Sequence, residues 1–518
     1  MDIVRKIQSI SWCKEPWGAP NISDEAKQLL KECTDITPPE LIDDLQEIIR
    51  RSNEFPIKFP IDTVRLEKLK TRRPIEKLKE NVRSTYPVLH ERVLVLMANF
   101  LVYKRKYGST VEKEMYSKMS VVELIDRILH KRAICFMKKQ DVYLLRSGKK
   151  GEGGWESIGT AEERPPLVLA DYLSYDELKL SALVSVSGPT ACINDGTRRN
   201  SGVVKEDNIE TDAIIIGVIG PRFQRPGRVD CEDILITEDQ NREENGYGSI
   251  PSDGPVTAKQ MWRKLWADFY QIPSMTYKQL TSTVQLKGVA ARDSRVFTER
   301  YARRPRSSDV FDATAYSRRL TLLADTVLIE ADARAAAARK PAFVNIIGAG
   351  LGVWKISPHQ LDLFILTFLQ RIHSLLNDGA LHNISDVNFA YIKPGDSVLP
   401  LFKSNASKTE KKVLLKNEAH PKGGISVQVE DREPSSALVG EHAGKLLVMT
   451  YAWDGNAHPG NEFWLGKLAT SGDPAAACST QVSELHSAAV NPAVCGRNAR
   501  VAASCGLRSL AAAAANLV

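Results

Sequence analysis

Long apolar runs and paired cysteines are both missing from this chain of 518 residues. A stretch of about 18 apolar residues occurs nowhere, which excludes an ordinary transmembrane helix. The first residues also lack the apolar run of a secretory signal. The eight cysteines are scattered with no CxxC spacing, so we expect reduced thiols and neither a disulfide frame nor a zinc site. These absences favour a cytoplasmic protein without a metal site.

Several catalytic signatures are absent as well. The chain has no P-loop lysine, no HExxH and no GxSxG, which argues against an NTPase, a zinc protease and a hydrolase with a serine elbow. The net charge is +7, yet the basic runs Lys70–Arg73, Lys104–Lys106 and Arg303–Arg306 contain no interleaved aromatic residues. A solvated basic face explains them better than a nucleic-acid surface does.

Sequence texture divides the chain into three parts. Residues 1–150 are lysine-rich with apolar residues at helical spacing, which predicts a helical N-terminal module. The glycine-rich run Ser147–Trp155 then marks a boundary. In residues 151–495, short apolar strands alternate with helices, which predicts an α/β layered domain. Residues 496–518 are low in complexity, and we expect a frayed or loosely helical tail.

Two glycine-containing runs follow predicted strands. Gly348–Trp354 (GAGLGVW) comes after a strand and before a helix, an arrangement that suits a diphosphate because glycine lets backbone N–H groups approach closely. A tight turn that packs a helix on the sheet is the alternative. Cys192–Gly202 (CINDGTRRNSG) either forms a simple turn or projects Asn194 and Asp195 towards a ribose or base. A third run, Ile219–Asp233 (IGPRFQRPGRVDCED), is explained by surface salt bridges.

The most specific run is Asp454–Asp473 (DGNAHPGNEFWLGKLATSGD), which follows a predicted strand. It gathers Asp454, Glu462 and Asp473 among glycines, near Trp453 and Trp464. Paired carboxylates are what glycosidic hydrolysis needs, because one stabilises positive charge and another orients water. They would also bind a guanidinium or ligate a hard cation. A purely structural acidic loop is the alternative.

Four runs in order resemble one family: DYLSYDELKLSALVSVSGPTACINDGTRRNSG, IIGVIGPRFQRPG with QNREENGYG, FVNIIGAGLGVW, and DGNAHPGNEFW with SGDPAAACST. They are similar to the family of the Legionella effector MavL, macrodomain-like hydrolases related to poly-ADP-ribose glycohydrolases. The resemblance implies an α/β macrodomain-like three-layer core with a mixed sheet. It also implies removal of ADP-ribose from arginine, with ADP-ribosylated ubiquitin as a candidate substrate and no cofactor.

The resemblance places the catalytic acids on Asp454, Glu462 and Asp473. We expect Asp454 and Glu462 to bind the guanidinium and the distal ribose, and Asp473 to orient or activate water, in roles that could permute. The residues predicted to bind ADP-ribose are Asn194, Asp195, Gly196, Gly348, Gly350, Gly352, Val353 and Trp354.

The chain departs from the family pattern at two places. Glu462 stands where the family has an aspartate. In the run GPRFQRPGRVD, Gln224 replaces the acid of the family's GARFE, and Val229–Asp230 replaces the Met–Glu that follows it. If the first of those acids binds substrate, Gln224 favours the alternative function, a reader that binds ADP-ribose without cutting it.

Overall fold

The computed structural model describes residues 17–42, 44–251, 254–284, 299–304, 306–395, 398–402 and 412–518, with positions 5, 7, 9, 10, 12 and 286. Its centre is a ten-stranded mixed sheet with the order β12-β13-β11-β10-β14-β6-β5-β1-β15-β16. Two small three-stranded sheets, β2-β3-β4 and β7-β9-β8, lie outside it. The strands β1 to β16 span Tyr86–His90, Cys135–Met137, Val142–Leu144, Lys150–Gly151, Val184–Ala191, Asp212–Val218, Leu235–Ile236, Tyr301–Arg303, Val310–Asp312, Ala342–Ile347, Ile384–Ala390, Lys412–Lys416, Gly424–Gln428, Leu446–Ala452, Arg500–Ala503 and Gly506–Ser509.

Five neighbouring strands of the large sheet, β13, β11, β10, β14 and β6, are parallel. The register of β14 against β6 ends with Ala452 opposite Val218, so their carboxyl ends lie at one edge of the sheet. In open α/β sheets this edge is where ligands bind. Strand β5 runs antiparallel to β6, so the chain leaves β5 at the opposite edge.

Most of the described α-helices begin at a residue whose side chain accepts a backbone N–H of the first turn. Ser23 accepts the N–H of Ala26 at the start of the first described helix, and the longest helix is capped by Asp312. In the described ranges no helix is long and apolar enough to cross a membrane. The α-helices span Asp24–Thr34, Leu45–Asn53, Leu66–Leu69, Ile75–Arg83, Glu91–Tyr107, Thr110–Tyr116, Val121–His130, Tyr175–Ser181, Cys231–Ile234, Ala258–Tyr270, Tyr277–Thr283, Ala313–Ala338, His359–Asn377, Gly472–Ser479, Val482–Leu485 and Leu510–Ala515.

The sheet separates two apolar cores, because side chains alternate across a strand. In β10, Phe343 enters the core shared with the N-terminal helices. Its neighbours Val344 and Ile346 enter the core formed with Ala313–Ala338 and His359–Asn377. Helices therefore cover both faces, and the predicted α/β fold with a three-layer mixed-sheet core is confirmed.

The large sheet crosses both predicted boundaries. Strand β1, from the N-terminal part, lies between β5 and β15, and β15 with β16 comes from the C-terminal residues. The structure corrects the expectation of a frayed tail: residues 500–509 form strands, and Leu510–Ala515 buries Leu510, Ala513 and Ala514. Alanine is small enough for this helix to pack closely, which composition alone did not reveal. The division into three units stays a prediction.

Candidate active site

The acidic run forms a loop at the carboxyl edge of β14. Its two tryptophans fix it, because the indole of Trp453 donates to the Ala457 carbonyl at 3.2 Å and that of Trp464 donates to the Pro459 carbonyl at 2.8 Å. The ring of Trp464 also packs against Phe55 from the N-terminal helices, with centroids 4.9 Å apart. We call residues 453–473 the acid loop. It is held by buried aromatic contacts and is not a free surface turn.

Asp454 is half-buried just beyond β14. Its carboxylate accepts a short hydrogen bond from the Asn461 amide. Burial and the charge of Glu462 raise the pKa of Asp454 to about 7, against the opposing effects of Arg222 and Asn461. A carboxyl with that pKa changes charge in the physiological range.

Asp473 is 2% exposed and lies in the first turn of the helix Gly472–Ser479. Its Oδ1 accepts the Gly460 N–H at 2.7 Å, whereas its Oδ2 is buried without a hydrogen-bond partner. Burial, with the charges of Asp454 and Glu462, raises the pKa of Asp473 well above its ordinary range. An unpaired buried oxygen is costly, so its retention calls for a functional explanation.

Glu462, half-buried in the short 3₁₀ helix Asn461–Leu465, accepts the Ser471 hydroxyl at 3.4 Å. The charges of Asp454, Glu462 and Asp473 all raise the pKa of the buried Cys135 thiol, which places the three acids around one point. The structure thus brings the three predicted catalytic residues into one cluster, which we call the acid cluster.

The glycine run lies beside the acid cluster. Strand β10 ends at Ile347, and the next helix begins at His359, so the run lies in the loop between a strand and a helix, as the sequence predicted. A Cβ on Gly220, after β6, would lie 2.3 Å from the Gly350 nitrogen. Gly350 itself has a φ of +78°. Glycine at both positions lets the two loops touch across the end of β14.

The end of the glycine run faces solvent and a cation. The side chain of Val353 is 89% exposed, and the Trp354 ring lies 5.6 Å from the Arg222 guanidinium carbon. Arg222 is 5% exposed with an unpartnered Nε, and the charge of Asp454 opposes the fall in its pKa caused by burial. Arg222 therefore lies between Asp454 and Trp354, at the end of the run that contains Gly348, Gly350, Gly352 and Val353.

Asn194, Asp195 and Gly196 lie at the other end of the helix Gly472–Ser479. The Asn194 amide donates to the carbonyls of Val203 and Cys478 at 3.0 and 3.4 Å and accepts the Gly196 N–H at 3.0 Å. Asp195 caps a turn by accepting the Thr197 N–H at 3.0 Å. The structure turns the Asn194 amide inward, whereas the charge of Asp195 helps to raise the pKa of Tyr391, just beyond the carboxyl end of β11. A role of these three residues in ligand binding stays a prediction.

Sequence reasoning missed two residues of the site. Arg222 was assigned to surface salt bridges, but its neighbour in that run, Asp230, is buried and binds Arg319 at 3.0 Å and the Arg222 N–H at 2.7 Å. Asn461 belongs to the acid run, but its spacing from Asp454 did not predict the hydrogen bond between their side chains. The signal available in the sequence was the position of Arg222, which follows Gly220 by two residues just after strand β6.

Other chemistry finds less support in the described ranges. They contain no group of three His, Cys, Asp or Glu side chains arranged to hold a metal ion. The seven cysteines in them are free thiols. Burial raises the pKa of Cys478 to about 12, so this thiol is protonated at neutral pH, which argues against a cysteine nucleophile beside the acid loop.

Comparison with known proteins agrees with this site. The family described as ADP-ribosylhydrolase MavL-like matches residues 46–515. Two Drosophila melanogaster relatives, ADP-ribosylarginine hydrolases CG2909 and CG3568, are each 36% identical to the chain, over 496 and 484 residues. The alignments cover 95% and 92% of this chain and 93% and 89% of the relatives. The chain belongs to the MavL-like ADP-ribosylhydrolase family and is a hydrolase of that family.

Proposed function

We propose that the protein hydrolyses the N-glycosidic bond between ADP-ribose and an arginine side chain. The acid cluster carries this proposal, since it places three carboxyl groups at the ligand-binding edge of the sheet and leaves one buried oxygen unpaired. The names of the two Drosophila relatives support the arginine linkage.

Charge gives the physical reason for that linkage. Burial and the charges of neighbouring carboxyl groups raise the pKa of Asp454 and of Asp473, so both favour their protonated forms. A guanidinium has donors in a planar fork that match carboxylates. On binding between Asp454 and Glu462 it would favour the ionised form of Asp454. A glutamate or serine linkage brings no cation and would gain nothing from this cluster.

Asp473 is proposed to activate the water. Water oxygen attacks the anomeric carbon, the carbon–nitrogen bond breaks and its electron pair stays on the guanidine nitrogen. One proton of the water passes to the Asp473 carboxylate, which the positive charge of the bound guanidinium keeps ionised, and Asp473 then gives that proton to the leaving guanidine, which becomes guanidinium. The unpaired Oδ2 of Asp473 suits this step, because Oδ1 is already fixed by Gly460.

The rest of ADP-ribose is proposed to follow the edge of the sheet. Backbone N–H groups of the run Gly348–Trp354 would bind the diphosphate, with Arg222 as the nearby cation. Asn194, Asp195 and Gly196 would border the ribose or adenine. We propose a cytoplasmic ADP-ribosylated protein, ubiquitin among the candidates, as the substrate.

The test measures release of free ADP-ribose from proteins modified on arginine, glutamate or serine, with arginine-modified ubiquitin as one substrate. We expect release from arginine alone, lost in Glu462→Gln, a change that keeps the shape and removes the charge. Alanine at all three acids with release intact would refute the proposal. Binding of ADP-ribose with no release from any substrate would favour the reader.

A further inference from the structure

Asn461 connects the acid loop to the N-terminal part of the chain. It is fully buried and holds a φ of +31°, which few residues other than glycine adopt. Its Oδ1 accepts the Phe136 N–H at 3.0 Å, and its Nδ2 donates to the Phe136 carbonyl at 3.2 Å. The same Nδ2 donates to Asp454. One amide thus clasps strand β2 and reaches the carboxyl group of Asp454.

The backbone of Phe136 fixes which way this amide faces. An N–H needs an acceptor and a carbonyl needs a donor, so Oδ1 and Nδ2 of Asn461 cannot exchange places without losing both bonds. The second hydrogen of Nδ2 is then directed at Asp454 Oδ2. That oxygen accepts, and any proton on Asp454 resides on Oδ1.

We propose that Asn461 is a positioning residue that holds Asp454 in the orientation, and in the protonation pattern, needed for the hydrolysis proposed above. This inference rests on the proposed function of Asp454. The backbone of strand β2 fixes the orientation of the Asn461 amide, and the amide in turn fixes the orientation of the Asp454 carboxyl group. A strained backbone at Asn461 fits such a role, because strain persists where the surrounding structure requires it.

Other charged groups also face Asp454. They are Glu462 on the acid loop, Asp473 on the following helix and Arg222 on the loop after β6; the Cys135 thiol lies near on β2. Asn461 differs from these groups, because it is neutral and its contact does not change with pH. Removing its hydrogen bond takes support from the ionised form of Asp454, which raises the pKa of that carboxyl.

The chain offers a matched control. Asn456 is also a buried asparagine of the acid loop, and its amide also donates to the Phe136 carbonyl, at 3.3 Å. It has no hydrogen bond to Asp454 among the described contacts. We therefore compare Asn461→Ala with Asn456→Ala, and add Asn461→Asp as a nearly isosteric variant that keeps the acceptor and loses the donor.

The first readout is the pH dependence of kcat/KM on an arginine-ADP-ribosylated protein. In Asn461→Ala the acid limb is expected to move to higher pH, with about a tenfold loss at pH 6 for a movement of one unit. Asn461→Asp is expected to move it further, because the new carboxyl repels Asp454. Both alanine variants are expected to unfold at lower temperature, but Asn456→Ala keeps the wild-type limb.

The second readout does not need turnover. The carboxyl carbons of 13C-aspartate-labelled protein are titrated by NMR, with Asp454 assigned from Asp454→Asn. We expect the pH midpoint of the Asp454 titration to rise in Asn461→Ala and to equal the wild-type midpoint in Asn456→Ala. Equal midpoints in both alanine variants would overturn the inference even in a fully active enzyme. An inactive wild type with the midpoint shifted would instead refute the proposed function alone.

Discussion

The two ends of the helix Gly472–Ser479 look alike in the sequence and differ in the structure. Each adjoins a run of Asn, Asp and Gly after a strand, and each was predicted to touch ADP-ribose. Asp473 at one end keeps a buried oxygen without a partner, whereas the Asn194 amide at the other end binds the Cys478 carbonyl and the Gly196 N–H. The Asp473 carboxyl thus keeps one oxygen free of hydrogen bonds within the protein, whereas the Asn194 amide uses both of its polar atoms in the fold.

Of the substitutions that test this comparison, Asp473→Asn should have the largest effect. We expect kcat to fall by about 10²–10⁴-fold, the usual contribution of a general base, while the folded state becomes more stable. Burial raises the pKa of Asp473, so the folded protein binds more protons than the unfolded chain, and stability falls as pH rises above the unfolded value. Asparagine does not titrate.

Urea unfolding at pH 5 and pH 8 checks this prediction. The advantage of Asp473→Asn over the wild type should widen between the two values, to about 1 kcal/mol or more at pH 8. A variant that is less stable than the wild type by equal amounts at both would show that Asp473 serves the fold and not the reaction.

Arg222→Met should have the next largest effect. The change keeps the packing against Trp354 and Phe136 but removes the cation, so we expect ADP-ribose affinity to fall about 10–100-fold, as for a hydrogen bond to a charged group. Calorimetry measures it. Arg225→Met, which removes an arginine paired with Glu156 at 2.5 Å nearer the surface, is the control and should change affinity little. Equal losses would remove Arg222 from the site.

Asn194→Ala should act on stability and spare the chemistry. Losing an amide with several buried partners should cost about 2 kcal/mol of unfolding free energy, with kcat within about threefold of wild type when measured well below the unfolding temperature. Asp195→Asn keeps the oxygen that binds Thr197 and should change stability by less than about 0.5 kcal/mol. A collapse of kcat in fully stable Asn194→Ala would place this end in the reaction.

Val353→Ala should have the smallest effect on both stability and ADP-ribose affinity. Because the side chain is 89% exposed, unfolding free energy should stay within about 0.5 kcal/mol, and affinity for ADP-ribose should change little if backbone groups bind the diphosphate. Gly350→Ala should weaken the affinity for ADP-ribose clearly. Its φ is +78°, and an added Cβ would lie 3.0 Å from the Pro221 carbonyl oxygen, so the backbone of this loop would have to move. Equal affinities in the two variants would contradict a backbone diphosphate site.

Sequence pattern predicted the parts of this molecule that depend on neighbouring residues. The alternation of strands and helices in residues 151–495 follows from apolar spacing and from nearby caps, such as Thr257 at the start of the helix Ala258–Tyr270. The clustering of Asp454, Glu462 and Asp473 followed from their closeness along the chain and from the resemblance to a family.

The remainder depended on partners far away in sequence. Arg222 resembled a surface charge because its burial is set by Phe136 and Trp354, which lie before and after it by many residues. The inward hydrogen bond of Asn194 could not be predicted, because the carbonyl that accepts it belongs to Cys478. The tail was misjudged for the same reason: β15 exists through its pairing with β1, near the other end of the chain.

That pairing bears on how the protein can be shortened. A fragment cut at residues 151 and 495, the natural choice from composition, would leave β5 with a bare edge, since both β1 and β15 would be gone. It would also lack Phe136 and with it the clasp on the acid loop. Anyone designing a minimal enzyme, a crystallisable fragment or a split reporter from this fold should keep strand β1 and hairpin β2-β3 in one piece with the C-terminal strands, and place the cuts in exposed loops.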